Sequence, residues 1–339
     1  MTRPGPAAGR RQTADSDSAA WVAPIGAPGL PLEAGPTRDG VDLAEWARTH
    51  QDTVRSRLHT HGAVLFRGFG ITLDTFGEVV RALAGEPEAY VERSTPRTEL
   101  GRHLYTATDH PADQPIALHN ENAYQLSFPA RLVFGCLTPA RTGGATLLAD
   151  TRRVLARLDP RVVAAFTERG VCYRRTYREG LGVSWQDVFR THDKDTVTAY
   201  CAAHRIDVEW KADGALRTTQ VRPAVAVHPA TGERVWFNHA AFFHVLGHPP
   251  AIRDALLAQF DERDLPSHTS YGDGRPIEPA VLEQLRHAYD AERVSPRWRA
   301  GDVLLVDNLL AAHGREPFTG ERRVVVGMAD PLQWAEVRA

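Results

Sequence analysis

The feature that most restricts the fold is a set of short apolar runs, each of strand length and none of helix length. They are "AVLFRGF", "RLVFGCL", "VCYRRTY", "RVWFN", "DVLLVDN" and "RRVVVGMA". β-Branched and aromatic residues crowd these runs, and glycine, proline or polar residues bound them, which is the signature of buried strands. They form two groups, one in the middle of the chain and one at its C-terminal end, with a largely helical insert between. Helical spacing recurs over Leu43 to Leu58, over Phe76, Val79, Val80 and Leu83, after Asp150 as an N-cap, in "AIRDALLAQF" and in "EPAVLEQLRHAY". This order does not suit a regular βαβ series. It predicts a mainly β fold, a sandwich or barrel with peripheral helices.

The 339 residues are 42% hydrophobic and 24% charged, enough to bury a large core, and no long linker divides them. We therefore expect a flexible tail over residues 1–20, rich in Pro, Gly, Ala, Ser and Arg, and a single domain over 21–339. The formal net charge of −2 gives no electrostatic reason to expect nucleic acid as a partner. No apolar run reaches the roughly 18 residues that span a bilayer, and the N-terminus lacks the apolar core of a secretory signal. Cys136, Cys172 and Cys201 are odd in number and widely spaced, which favours reduced core cysteines and a cytoplasmic location.

Within this frame, two His-x-Asp/Glu triplets occur, about the number that composition alone produces. Residues two apart share a face on an extended strand and diverge on a helix. His50 and Asp52 lie in a helical pattern, so that pair is a coincidence of spacing. His119 and Glu121 follow "QPIAL", the end of a short strand, and there both side chains can aim at one point. A metal held by this pair needs a further ligand, and His313 is the best candidate. It follows the buried strand Val303 to Val306 and precedes Gly314, in what reads as a polar connection, where an ordinary solvated loop histidine is the plain alternative. Asp302 and Asp307, close by, are accounted for by turn and strand-end roles.

The ordered segments "HNENAY", "GGATLLAD", "GDVLLVDN" and "HGREPFTGERRVVVG" resemble those of the TauD/TfdA-type Fe(II)/2-oxoglutarate dioxygenases, and more closely the clavaminate-synthase-like and SyrP-like branch. The resemblance runs from about Ala63 to Asp330. It implies a double-stranded β-helix core, the jelly-roll or cupin-like fold, with a helical insert. It also implies Fe(II) held by His119, Glu121 and His313, with 2-oxoglutarate and O₂ as cosubstrates. Two histidines and one carboxylate leave three metal positions open, two for the keto acid and one for O₂.

The far carboxylate of 2-oxoglutarate calls for an arginine, whose planar fork can grip it at two points. Strand alternation allows only one of Arg322 and Arg323 to face inward. The resemblance selects Arg323, with Thr146 as the partner hydroxyl, although a surface arginine and an ordinary strand threonine are the plain readings. Arg97 and the pair Asn238 and His239 resemble substrate-pocket positions of the branch, and a buried aromatic cluster with a capped histidine explains "WFNHAAFFH" equally well. In related halogenases a small residue replaces the metal carboxylate, so Glu121 favours oxygenation.

The implied activity is hydroxylation of an unactivated C–H bond in an amino acid or amino-acid-derived intermediate of secondary metabolism, free or tethered to a carrier protein. Desaturation, epoxidation and cyclisation use the same chemistry. A zinc hydrolase built on the same three side chains, or a non-catalytic jelly-roll binding protein, is the alternative of another class.

Overall fold

The computed structural model describes residues 18–89 and 97–338. Most of the expected tail, and residues 93–96 of "RSTPRTEL", lie outside the described residues.

The largest sheet buries both faces of its central strands and has eight strands in all. In spatial order they are Val22–Pro24, Leu32–Pro36, Ala63–Phe66, Val303–Asp307, Ser127–Thr138, Arg323–Gln333, Leu104–Thr106 and Glu99–Gly101. Neighbours are antiparallel except Leu32–Pro36 and Ala63–Phe66. The central strands alternate their allegiance residue by residue. Val64, Phe66, Val133, Val303, Leu305 and Val325 pack with the helices Leu43–Thr49, Gln51–His61 and Leu73–Ala84. Their neighbours Leu65, Leu132, Phe134, Leu304, Val324 and Val326 face the other way, into the molecule. Both faces are apolar, so these strands read as continuous hydrophobic runs in the sequence.

The inward face meets a three-stranded antiparallel sheet made of Ile116–His119, Ala311–Arg315 and Thr146–Asp150. This sheet alternates too: Leu148 and Ala311 join the interior, whereas Ala149 and Ala312 pack outward on a second core with Phe166, Trp236 and the helix Pro279–Glu292. The two sheets thus form a jelly-roll sandwich, and the space between them is where alternation delivers side chains from both.

The predicted strands are all present. Between them the insert is not purely helical, because Asp207–Trp210, Leu216–Arg222, Val171–Tyr177 and Ser267–Tyr271 make a four-stranded sheet of their own. The helix expected over Leu43 to Leu58 breaks in two at His50, which caps the first segment and stacks on Trp46 with ring centroids 5.2 Å apart. Asp52 lies exposed, so His50 and Asp52 do not form a site. Asp150 caps the helix Thr151–Ala156 by accepting from two backbone amides, as expected. All three cysteines are buried and free. No helix among the described residues is long and apolar enough to cross a membrane.

Candidate active site

His119 is the last residue of its strand, and the ladder sets it directly opposite His313. The two rings lie 4.4 Å apart between centroids. His313 is therefore not in a polar connection: it sits inside the buried strand Ala311–Arg315. The glycine after it serves close packing and not a loop, since a Cβ on Gly314 would come within 2.6 Å of the Ile116 carbonyl oxygen. Beyond His119 the chain leaves the strand, and Glu121 begins a turn whose next residue, Asn122, has φ +57°. That turn directs the Glu121 carboxylate back to the histidines, with Oε2 3.6 Å from His313 Nε2. One ligand-type atom from each of His119, Glu121 and His313 lies within 4.8 Å of the others.

Hydrogen bonds orient these groups. His119 Nδ1 is 2.9 Å from the Ala117 carbonyl oxygen, which assigns the proton to Nδ1 and leaves the Nε2 lone pair for a cation. The His313 ring is held by packing, between His119 and Phe134. Phe242 lies over His119 with centroids 4.6 Å apart and shields that side. Arg97 donates to Glu121 Oε2 at 2.7 Å with both side chains buried. Burial raises the Glu121 carboxyl, but Arg97 and the two neighbouring imidazoles outweigh it and hold the group far below the ordinary carboxylate range. Burial, reinforced by His313, pushes His119 well below the usual imidazole value. A carboxylate kept ionised beside an imidazole kept unprotonated is the state in which both can ligate a divalent cation. The donor set fits iron, with its two imidazoles, one carboxylate and a freed Nε2 lone pair.

A cavity opens from these residues between the sheets, lined among others by Phe134, Thr146, Arg315 and Arg322. Here the expectation for Arg323 fails, because Arg323 is exposed and Arg322 turns inward. Val324 and Val326 face the interior, and Arg322, just ahead of the strand that begins at Arg323 and beside a register irregularity between Arg323 and Val324, falls on that same side. Arg322 Nε donates to the Gly144 carbonyl oxygen at 2.8 Å. The tight turn at Gly143 and Gly144, with φ +65° and +73°, presents that carbonyl, and a Cβ on Gly144 would crowd Ala140, Phe318 and Arg322 itself at 2.9 to 3.1 Å. Burial, aided by the nearby Arg315 cation, brings Arg322 down to about 10. No carboxylate among the described residues pairs with it, so this cation has paid for desolvation without a counter-ion.

Thr146 faces the same cavity, and its Oγ1 accepts from Trp298 Nε1 at 3.1 Å, leaving its own hydroxyl proton to donate. Arg315 is committed elsewhere: it donates to the carbonyl oxygens of His110, Pro111 and Gln114 and pins the loop that leads into the His119 strand. Asn238 does not join the cavity lining. Its amide is used on backbone, donating to Ala224 O and accepting from Ala240 N, whereas its neighbour His239 reaches the site and bonds the Asn120 carbonyl oxygen. The sequence names Arg322 as one of two candidate arginines and His239 beside Asn238, but it gives no sign of the supporting roles of Arg315, Trp298 and Asn308.

A second group, His59, His228 and Asp307, has the same ligand-type spacing. It is closed to metal by its hydrogen bonds. His228 Nδ1 accepts from the amides of Ala230 and Thr231, so the ring proton is on Nε2, where it donates to Asp307 Oδ2 at 3.0 Å. The nitrogen that faces the cluster offers a proton and no lone pair.

A jelly-roll sandwich with a His-x-Glu turn facing a strand histidine, and a buried arginine and threonine deeper in, defines an Fe(II)/2-oxoglutarate-dependent dioxygenase. The chain belongs to the TauD/TfdA family: the model of the taurine catabolism dioxygenase TauD, TfdA family matches residues 24–329. It is 41% identical over 309 residues to the dapdiamide synthesis protein DdaC of Enterobacter agglomerans, covering 91% of this chain and 93% of the relative. It is 31% identical over 317 residues to a clavaminate synthase-like protein of Arabidopsis thaliana, covering 90% and 89%. In fold it is similar to PvcB of Pseudomonas aeruginosa, with a TM-score of 0.53 at 19% identity over 92% of this chain and 93% of that one. The enzyme uses Fe(II), with 2-oxoglutarate and O₂ as cosubstrates, so the zinc hydrolase and the non-catalytic binding protein fall away.

Proposed function

We propose that the enzyme hydroxylates an unactivated C–H bond of an amino acid or amino-acid-derived intermediate in secondary metabolism, free or carried on a carrier protein. The observation that carries this reading is the convergence of His119 with the buried Glu121 and His313, with a carboxylate and not a small residue in the second position. The likeness to a dapdiamide synthesis protein supports the biosynthetic setting.

In this reading His119 Nε2, His313 and Glu121 hold the iron from one side. Arg322 receives the distal carboxylate of 2-oxoglutarate, and Thr146 donates its hydroxyl proton to the same group. The half-buried Arg322 charge, with no carboxylate partner among the described residues, supports this assignment, as does a cavity that joins it to the histidines. Bound iron and 2-oxoglutarate supply an O₂-driven oxidation of a C–H bond, with the cosubstrate ending as succinate and CO₂. Arg97 steadies the Glu121 carboxylate from the remaining side, and Phe242 keeps bulk water from the His119 ring. A carboxylate at Glu121 leaves no protein-side vacancy for chloride, so oxygen and not halogen is transferred.

The test is a turnover assay over candidate amino acids, free and carrier-bound, with labelled O₂, ascorbate and excess chloride. Succinate formation with a product heavier by one labelled oxygen supports hydroxylation. A product lighter by two hydrogens indicates desaturation or ring closure instead, and a chlorinated product removes the reading. Epoxidation of an alkene substrate also adds one oxygen, and the double bond lost from the product distinguishes it.

A further inference from the structure

Glu121 is held by more than its own turn. Both sides of its peptide backbone are bonded to one side chain: Asn308 Oδ1 accepts from Glu121 N at 2.7 Å, and Asn308 Nδ2 donates to Glu121 O at 2.9 Å. The second Nδ2 proton goes to Pro129 O at 2.8 Å, on the long strand of the large sheet. Asn120 returns the connection by donating from its own amide to Asn308 O at 2.6 Å, and the Asn120 carbonyl is bonded to His239 Nε2, also at 2.6 Å. Asn308 is fully buried, with both amide protons and its oxygen engaged.

The position of Asn308 gives this clamp its consequence. Asn308 ends the strand Val303–Asp307 and opens the turn into Ala311–Arg315, so it sits at the head of the hairpin that carries His313. The ladder already fixes His119 against His313. Glu121 lies past the end of that ladder, in a turn, and no strand pairing fixes it against either histidine. The Asn308 amide is the part that ties the Glu121 backbone to the His313 hairpin and to the large sheet at once.

We propose that Asn308 is a positioning residue for the metal centre, setting the place of Glu121 relative to His313 through the two backbone bonds at residue 121. The inference rests on the reading of His119, Glu121 and His313 as metal ligands and adds a determinant outside that set. Groups that orient ligands in this way change metal affinity by about 10- to 100-fold when removed. Replacement by aspartate is the sharpest probe, because Asn308→Asp keeps the acceptor for Glu121 N and turns the donor that serves two carbonyl oxygens into another acceptor.

The experiment titrates Co(II) into the full-length protein without 2-oxoglutarate, reading the dissociation constant and the visible ligand-field spectrum, with the melting temperature of each metal-free protein measured in parallel. Asn308→Ala and Asn308→Asp are compared with Phe76→Leu, a packing variant in the core on the helical side of the large sheet. Both Asn308 variants are expected to bind Co(II) about 10- to 100-fold more weakly than the wild type, with an altered spectrum. Phe76→Leu is expected to lower the melting temperature and leave affinity and spectrum unchanged. Wild-type affinity and spectrum in either folded Asn308 variant overturns the proposal, as does an equal loss of affinity in Phe76→Leu. Failure of both Asn308 variants to fold assigns the residue to the fold alone and also overturns it. A wild-type protein that binds no Co(II) removes the ligand reading itself, an outcome separate from all of these.

Discussion

Arg322 and Arg323 are adjacent in the chain, yet the first lines the cavity between the sheets and the second faces solvent. Arg322 lies just ahead of the strand that begins at Arg323, on the side to which Val324 and Val326 turn. Removing the partner of a buried charge costs about 2 to 5 kcal/mol, so Arg322→Ala should weaken 2-oxoglutarate by roughly 30-fold or more while Co(II) still binds. Arg323→Ala should leave cosubstrate affinity within a factor of about two, the small effect usual for exposed sites. Calorimetry of 2-oxoglutarate binding to the Co(II)-loaded protein measures both, and equal effects would contradict the assignment.

Metal should stabilise the fold. A cation held by His119, Glu121 and His313 would tie together a strand end, a turn and a second strand, and a ligand present at about 100 times its dissociation constant adds roughly 2.7 kcal/mol to a folded state that alone binds it. Thermal melts with and without Mn(II) should therefore separate by several degrees, and a chelator should abolish the difference. Glu121→Ala should show a much smaller separation. Identical melts in wild type and Glu121→Ala would speak against these ligands.

The close approach of the His119 and His313 strands at Gly314 predicts a costly methyl. Gly314→Ala brings a Cβ against backbone oxygen, which cannot swing aside as a side chain can. Forced overpacking of this kind costs about 1 to 3 kcal/mol, and relief by widening the ladder would also part the two imidazoles. Chemical denaturation should register the first effect and Co(II) titration the second. A fully stable variant with unchanged metal affinity would show that the strands yield without consequence.

Stability at low pH should depend on Arg67, which is buried between Asp302 at 2.5 Å and Glu33 at 2.8 Å. The hydrogen bond from Arg67 holds Glu33 below its ordinary value of 4.5. A depressed folded value means that this contribution is complete above about 4.5 and is lost as pH falls below it, since the unfolded chain then takes up the proton first. Asp302→Ala removes one partner of Arg67, which keeps Glu33 and the Arg297 carbonyl oxygen, and should cost about 1.5 to 3 kcal/mol at neutral pH, the range for a hydrogen bond to a charged group. Glu33→Gln should cost less and flatten the acid limb of stability against pH, and an unchanged limb would exclude Glu33 as its source.

The apolar strands were legible because burial on both faces writes itself as unbroken hydrophobic runs, and His119 and Glu121 because two residues at a strand end offer few alternatives. The sequence sets His313 in a loop, whereas it lies within a strand opposite His119. Gly314 reads as a turn glycine in one dimension, whereas in three it makes room for the Ile116 carbonyl. Arg322 was missed because alternation fixes relative and not absolute facing: a strand apolar on both sides does not declare which side holds the cavity. The resemblance points to Asn238 and His239 together, and of the two the Asn238 amide serves two backbone groups while His239 lies against His119. The break at His50 is equally invisible to periodicity, since both short helices keep the same apolar face.

The His228 ring shows how little separates an inert cluster from a trap for stray ions. Its spacing to His59 and Asp307 matches that of a chelator, and the barrier is carried by two backbone amide protons at Ala230 and Thr231. Were that short loop to turn its peptides away, the proton could move to Nδ1, and a lone pair would face the aspartate. The direction of a handful of protons is what lets one chain keep a single address for iron while carrying a second set of histidines and a carboxylate at chelating range.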